Sequence, residues 1–318
     1  MVSVYCTAYN HQDYIRKCLE GFVNQKTNFA FEIIVNDDLS TDGTADIIRE
    51  FEEKYPDIMR PIYQTENQYS QNISIFFNHF LPRAKGKYFA ICEGDDYWTD
   101  EYKLQKQFDA MEAHPDINIC AHAVKQINVR TNKTIAIIAP RKKSTVIPAE
   151  DVIFGGGGFV GTNSLFLRTD VYRNAPDFFK EFAYDYTFQI LGSLGGGMLY
   201  ISDCMSVYNY LTAGSYSERR EKQAKEMAKK FNEGCIKMLN SMNEYTGGRY
   251  GKAIEETLLL REMSVLAEEH RFKELKDPKY RSVYKKLPFS KRAKMRIKAM
   301  SPALTRFVRK YIRKGGSR

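Results

Sequence analysis

The chain has 318 residues, 43% of them hydrophobic, enough for one large domain or a domain with an extension. No run of about 18 apolar residues occurs, so the sequence predicts no membrane-spanning helix. The net charge of +9 is uneven: Lys279 to Arg318 carry 15 Lys or Arg and no acid, which leaves a net −6 on the preceding 278 residues.

The opening MVSVYCTAYN lacks the basic start and small-residue cleavage site of a signal peptide, and reads as a first strand and turn. HQDYIRKCLEGFVNQ follows, with Ile15, Cys18, Leu19, Phe22 and Val23 on one helical face. FEIIVND is a continuous apolar strand of the kind buried on both faces of a parallel sheet. Thr41 or Asp42 can cap the next helix, which turns Ile47, Ile48 and Phe51 inward. MRPIYQ is a weaker third strand, NISIFFNHFLPRAKG looks helical, and GKYFAIC is a fourth strand. This β-α-β-α-β-α-β alternation predicts a doubly wound, mostly parallel sheet.

YKLQKQFDAMEAHP is another amphipathic helix. INICAHAVKQIN and KTIAIIAP form antiparallel strands, and GGGGFVGTNSLFLR leads from glycines into a strand. AYDYTFQILGSLGG is a helix ending on glycines, and GMLYISD and MSVYNYL are two short strands. From about Glu218 the rest reads as helical. The six cysteines are scattered without a CxxC pair and read as reduced core residues of a cytoplasmic protein. The five histidines have no ligand spacing, which argues against zinc. Neither glycine run forms a dinucleotide or P-loop fingerprint.

Two acidic clusters fall at strand carboxyl ends, where open α/β sheets bind ligands: NDDLSTD and EGDD. Glu93, Asp95 and Asp96 lie within four positions, and like charges this close call for a shared proton or a cation. Oxygen donors suit Mg2+ or Mn2+, which share their remaining sites with substrate phosphates. An acidic turn after a strand is the competing reading. Asp38 can accept a hydrogen bond from a base or ribose, and Tyr9 can stack on a nucleobase, although packing is the commoner role for a lone Tyr.

Three blocks in order, CTAYNHQDYIRKCLEGFVNQ, FEIIVNDDLSTDGTADII and AKGKYFAICEGDDYWTDEYKLQKQ, resemble the family-two glycosyltransferases with the GT-A fold. The resemblance covers roughly residues 1 to 212 and is strongest to 110. It implies an α/β, Rossmann-like, mostly parallel twisted sheet with flanking helices. It also implies a GT-A domain over 1–217, with a nucleotide-binding half (1–110) and an acceptor half (111–217), and a helical extension over 218–318. By that resemblance Thr7, Tyr9 and Asp38 contact the nucleoside, and Glu93 and Asp95 are the outer acids of the DXD motif. Asp is commoner than Glu at the first place, and the extra methylene of Glu93 can shift its contact toward the ribose. Asp96 is a further acid; whether Asp95 or Asp96 is the principal ligand of the metal stays open.

The same resemblance makes Asp185 the catalytic base, with helix capping as its other role and Asp170 and Asp177 as rivals. Two departures stand out: Asn209 occupies the place of a diphosphate-binding Arg, and ENQYSQNISIFFNHF replaces the usual pattern before the fourth strand. The implied activity is metal-dependent, inverting sugar transfer from a nucleotide-sugar donor, preferably a UDP-sugar. The acceptor is a hydroxyl of a glycan or lipid-linked glycan, in cell-surface polysaccharide synthesis. A sugar-phosphate nucleotidyltransferase and a non-catalytic nucleotide-sugar-binding module are the rivals. Ser301 to Arg313 read as a basic amphipathic helix suited to an anionic surface on the inner face of the plasma membrane, with docking on the acidic body as the alternative. No nucleic-acid recognition fold accompanies that charge.

Overall fold

The computed structural model describes residues 1–182, 185–215, 217–219, 224–287, 292, 293 and 295. The basic tail segment Ser301–Arg313 lies outside the described residues. The chain divides into two compact units, Met1–Phe231 and Asn232–Arg318, and the helix Ala224–Tyr245 runs across that division.

The first unit opens with β1 (Val2–Ala8), α1 (Ile15–Val23), β2 (Phe31–Asp37), α2 (Thr44–Lys54), β3 (Ile62–Tyr63) and β4 (Tyr88–Ile91). The order β3-β2-β1-β4 is parallel throughout, as the alternation of apolar runs and amphipathic helices predicts. The run FEIIVND is apolar without alternation because both faces are covered. Ile33 and Val35 enter one core cluster, and Ile34 enters the other. β4 divides in the same way: Tyr88 and Ala90, with Cys92 just beyond the strand, face one cluster, Phe89 and Ile91 the other. On α1, Ile15, Leu19 and Phe22 are fully buried, each contributing about 1.5–3 kcal/mol. Asp42 Oδ1 accepts from the Thr44 amide at 3.0 Å, so it holds the start of α2.

The second half adds β5 (Tyr97–Trp98), α3 (Lys103–Glu112), β6 (Ile119–Asn128), β7 (Lys133–Ile138), β8 (Thr145–Ile147), β9 (Phe166–Arg168), α4 (Asp185–Ser193) and β10 (Met198–Tyr210), besides shorter helical turns. β9 runs antiparallel between β4 and β6, and β6 lies parallel to β10. The predicted β6–β7 antiparallel pair is present. Gly195 and Gly197 end α4 with φ of 96° and 85°, a region where side chains are strained.

Two expectations change. NISIFFNHFLPRAKG is not a full helix: only Phe76–Phe80 coil, as a π-turn with the Leu81 amide reaching Phe76 O at 2.8 Å. Pro82 has no N–H with which to continue, and Phe76 and Phe80 are drawn into an aromatic cluster with Tyr5 and Phe89. GMLYISD and MSVYNYL form one thirteen-residue strand. Its partner β6 skips over Ser202 and Asp203 in the pairing register, a bulge that sequence pattern alone reads as a break.

The described part of the second unit is helical. Gly251–Glu268 and Arg281–Lys286 follow the long helix.

Candidate active site

β4 ends against β1. The Cys92 amide donates to Tyr5 O at 3.0 Å and the Gly94 amide to Thr7 O at 2.8 Å. Gly94 packs tightly there: a Cβ would come within 3.0 Å of His11 Nδ1 and Ile15 Cδ1, which would have to shift. The chain then turns, with the Asp96 amide on Glu93 O at 3.0 Å, and β5 pairs with β10 through Trp98 and Ser206. Glu93, Asp95 and Asp96 therefore hang between the carboxyl end of β4 and the end of β10.

β10 grips this turn. The Asn209 amide donates to Asp96 Oδ1 at 2.8 Å, and Asn209 Nδ2 donates to Asp95 O at 2.6 Å. The Thr212 hydroxyl donates to Asp95 Oδ2 at 2.6 Å. Asn163, just before β9, donates from Nδ2 to Asp96 Oδ2 at 3.1 Å and accepts from the Ser206 hydroxyl at 3.1 Å. Asp96 is 1% exposed with both oxygens engaged, whereas Asp95 is 8% exposed and uses one oxygen in these bonds.

Asp185 opens the first turn of α4 and accepts from the Thr162 hydroxyl at 2.7 Å. It belongs to the same electrostatic cluster. Both Glu93 and Asp185 reach water, yet protein crowds them on most sides. Burial, then Asp185 and Asp95, hold the Glu93 carboxyl well above its ordinary value. Burial, then Asp95 and Glu93, do the same to Asp96 against the opposing Asn209 amide. Burial raises Asp185, and the Thr162 bond opposes it. The Tyr208 hydroxyl is pushed up by burial and then by Asp96 and Glu93. The rivals Asp170 and Asp177 instead pair with Arg173 and Lys180 one turn along their own helices, on the surface.

Thr7, Tyr9 and Asp38 gather at the ends of β1 and β2. Thr7 is half-buried, and its carbonyl holds Gly94. Tyr9 is 47% exposed in the first β-to-α turn. Asp38 is 2% exposed, and its two oxygens accept from the Gln68 and Tyr69 amides at 2.7 and 3.0 Å, so it shapes the loop before the π-turn. His11 was not singled out by sequence. Burial lowers its pKa while Asp95, Asp42 and Asp37 oppose, and its Nδ1 has no partner among the described residues. Asp37 Oδ1 is also buried without a partner among the described residues, and burial raises that carboxyl.

Among the described residues no group of three or more acidic, His or Cys side chains is arranged as a metal cage. The donor set nonetheless fits a hard divalent ion held by one or two carboxylates and completed by phosphate and water. Its chemistry is oxygen-only, and burial followed by mutual repulsion disfavours the charged form of Glu93 and Asp96, a cost that a bound cation would relieve.

Residues 3–208 match the model of the family "Glycosyl transferase family 2", and the chain belongs to that family. Protein Rv1520 of Mycobacterium tuberculosis is 33% identical over 230 residues, covering 69% of this chain and 63% of that protein. The chain thus spans less than two thirds of the length of the curated relatives it matches. The putative teichuronic acid biosynthesis glycosyltransferase TuaG of Bacillus subtilis is 36% identical over 35% of this chain and 42% of its own length. WfaP of Escherichia coli, a UDP-Glc:alpha-D-GlcNAc-diphosphoundecaprenol beta-1,3-glucosyltransferase, is 36% identical over 35% of this chain and 41% of its own. Among solved structures, Staphylococcus aureus TarS 1–349 with UDP-GlcNAc superposes with a TM-score of 0.59 at 16% identity, covering 91% of this chain and 76% of that one. The mannosyltransferase PcManGT of Pyrobaculum calidifontis, with GDP-Man and Mn2+, gives 0.54 at 16% identity, covering 84% and 75%. The fold is GT-A: a mostly parallel sheet flanked by helices, followed by a helical C-terminal segment.

Proposed function

We propose that this glycosyltransferase moves a sugar from a nucleotide-sugar donor, preferably a UDP-sugar, to a hydroxyl of a glycan or lipid-linked glycan in cell-surface polysaccharide synthesis. The observation that carries this is the convergence of Glu93, Asp95 and Asp96 with Asp185, from two distant elements, into one electrostatic cluster in a family-two chain. The names of TuaG and WfaP support the surface-glycan setting and the lipid-linked acceptor.

Asp95, with Glu93 beside it, is the proposed ligand of Mg2+ or Mn2+. Asp96, with both oxygens engaged by β10 and Asn163, braces the turn instead. When bound, the ion neutralises charge on the nucleoside-diphosphate leaving group. Asp185 takes the proton of the acceptor hydroxyl as its oxygen attacks the anomeric carbon opposite that leaving group, so the configuration inverts. Burial raises the basicity of Asp185, and the Thr162 hydroxyl fixes its direction. Thr7, Tyr9 and Asp38 line the nucleoside side. The Ser301–Arg313 segment supports residence at the inner face of the plasma membrane.

Calorimetric titration of UDP and then GDP, with and without Mn2+, tests the donor half. Metal-dependent UDP binding, lost in Asp95→Ala, is the expected result. GDP preference changes the donor, and absence of binding to either nucleotide favours a non-catalytic module.

A further inference from the structure

The hairpin β6–β7 plays no part in the chemistry above, yet its composition is unusual. Between Asp116 and Glu150 the sequence holds six basic residues, Lys125, Arg130, Lys133, Arg141, Lys142 and Lys143, and no acid. This lies within a body that is otherwise net negative. β7 is exposed along almost its whole length, and Ile135 and Ile137 are 48% and 53% exposed. Ile137 pairs with the exposed Lys125 across the ladder. Arg130 and Arg141 pair with Glu218 and Asp151, whereas Lys125, Lys133, Lys142 and Lys143 form no ion pair among the described residues.

The register fixes where this surface stands. Ile127, two positions beyond Lys125 on β6, pairs with Asn209 of β10, whose amide holds Asp96. The hairpin therefore rises from the same end of the sheet as the carboxylates, one strand away.

We propose that the β6–β7 hairpin docks on an anionic lipid bilayer, with Ile135 and Ile137 entering the interface and the lysines meeting headgroup phosphates. The proposal rests on the glycosyltransferase reading for its purpose, which is to present the crevice to a lipid-linked acceptor. Exposed isoleucines with Lys125 across the ladder, Lys133 on the same strand and Lys142 and Lys143 just beyond it match the chemistry of an anionic interface. The free edge of β7 also offers itself to a second copy of the chain. Lysines on that edge oppose such pairing, because both copies bring the same charge.

The test uses the full-length chain and sedimentation with phosphatidylcholine vesicles, alone or containing phosphatidylglycerol. The wild type should bind only the anionic vesicles, and less as salt rises. Ile135→Ser with Ile137→Ser, and separately Lys142→Gln with Lys143→Gln, should each lower the partition coefficient about tenfold or more. Their Mn2+-dependent UDP binding should match wild type, which shows that the fold and nucleotide site are intact. Wild-type vesicle binding by both variants overturns the proposal, as does a wild type that ignores anionic vesicles. If the isoleucine variant instead loses self-association in ultracentrifugation while its vesicle binding is unchanged, the surface belongs to a second copy. Failure of the glycosyltransferase reading would appear separately, as a wild type that binds no nucleotide.

Discussion

Asp185→Asn removes the proposed base while keeping its shape. The Thr162 hydroxyl, which donates to Asp185 Oδ2 at 2.7 Å, can donate equally to an amide oxygen, so the start of α4 should keep its conformation. What disappears is the proton acceptor, and positioned general bases contribute about 10²–10⁴-fold. The variant should therefore transfer sugar at least about 10²-fold more slowly, a loss of about 2.7 kcal/mol of transition-state stabilisation. Burial raises the Asp185 pKa, so the wild-type rate should climb with pH as this carboxyl ionises, from a point above the ordinary aspartate range. The variant should lack that limb. Initial rates at saturating donor across a pH series, beside calorimetric donor binding, separate the possibilities. An unimpaired variant refutes the assignment. A variant that loses donor affinity in proportion to its rate places Asp185 on the donor side instead.

Three further outcomes follow from the surroundings of the site. Thr212→Val takes away the hydroxyl on Asp95 Oδ2, and Mn2+-dependent UDP affinity in calorimetry should fall about 10–100-fold with little change in melting temperature. Glu93 carries more protons folded than unfolded because its pKa is raised, so its contribution to stability declines as pH rises from the ordinary carboxylate range. Glu93→Gln should raise the metal-free melting temperature at alkaline pH and lose that advantage in acid; equal shifts at both would refute the cause. Lys103 is fully buried, donates to Gln107 Oε1 at 2.7 Å, and has its pKa lowered by burial from 10.5 to about 7. Folded, it binds fewer protons, so stability rises with pH across that window, from a cost of about 4 kcal/mol at pH 7 to about 2 kcal/mol at pH 9. Lys103→Met leaves the Gln107 oxygen unpaired, at about 1–3 kcal/mol, and urea midpoints should show its net gain at pH 7 shrinking by pH 9.

The parts of the fold that were legible share one property: their signal is local. FEIIVND and KYFAIC announce buried strands because their apolar residues alternate between two covered faces, Ile33 and Val35 against Ile34, and Tyr88 and Ala90 against Phe89 and Ile91. EGDD announces a site because its acids follow such a strand directly. The aromatic π-turn and the bulged β10 were hidden, since the first depends on Tyr5 and Phe89 from other strands and the second on the register of β6. The groups that hold the acids were hidden for the same reason. Thr212 lies 117 positions from Asp95, Asn209 lies 113 from Asp96, and Asn163 lies 67 from Asp96. No periodicity spans such separations.

Asn209 shows what the contacts add to a sequence departure. Seen alone, it is the loss of a cation from the place where the family it resembles often carries Arg. In the fold its amide and side chain grip both aspartates, a neutral brace on a charged turn. An arginine would lower the repulsion among Glu93, Asp95, Asp96 and Asp185, whereas Asn leaves that repulsion to add to burial, the first cause of the raised Glu93 and Asp96 carboxyls. The negative potential that remains is the attraction available to an incoming divalent ion. On the proposed metal-dependent mechanism, Asn209→Arg should therefore lower the dependence of UDP affinity on Mn2+ in calorimetry, and an unchanged dependence would refute this role for Asn209.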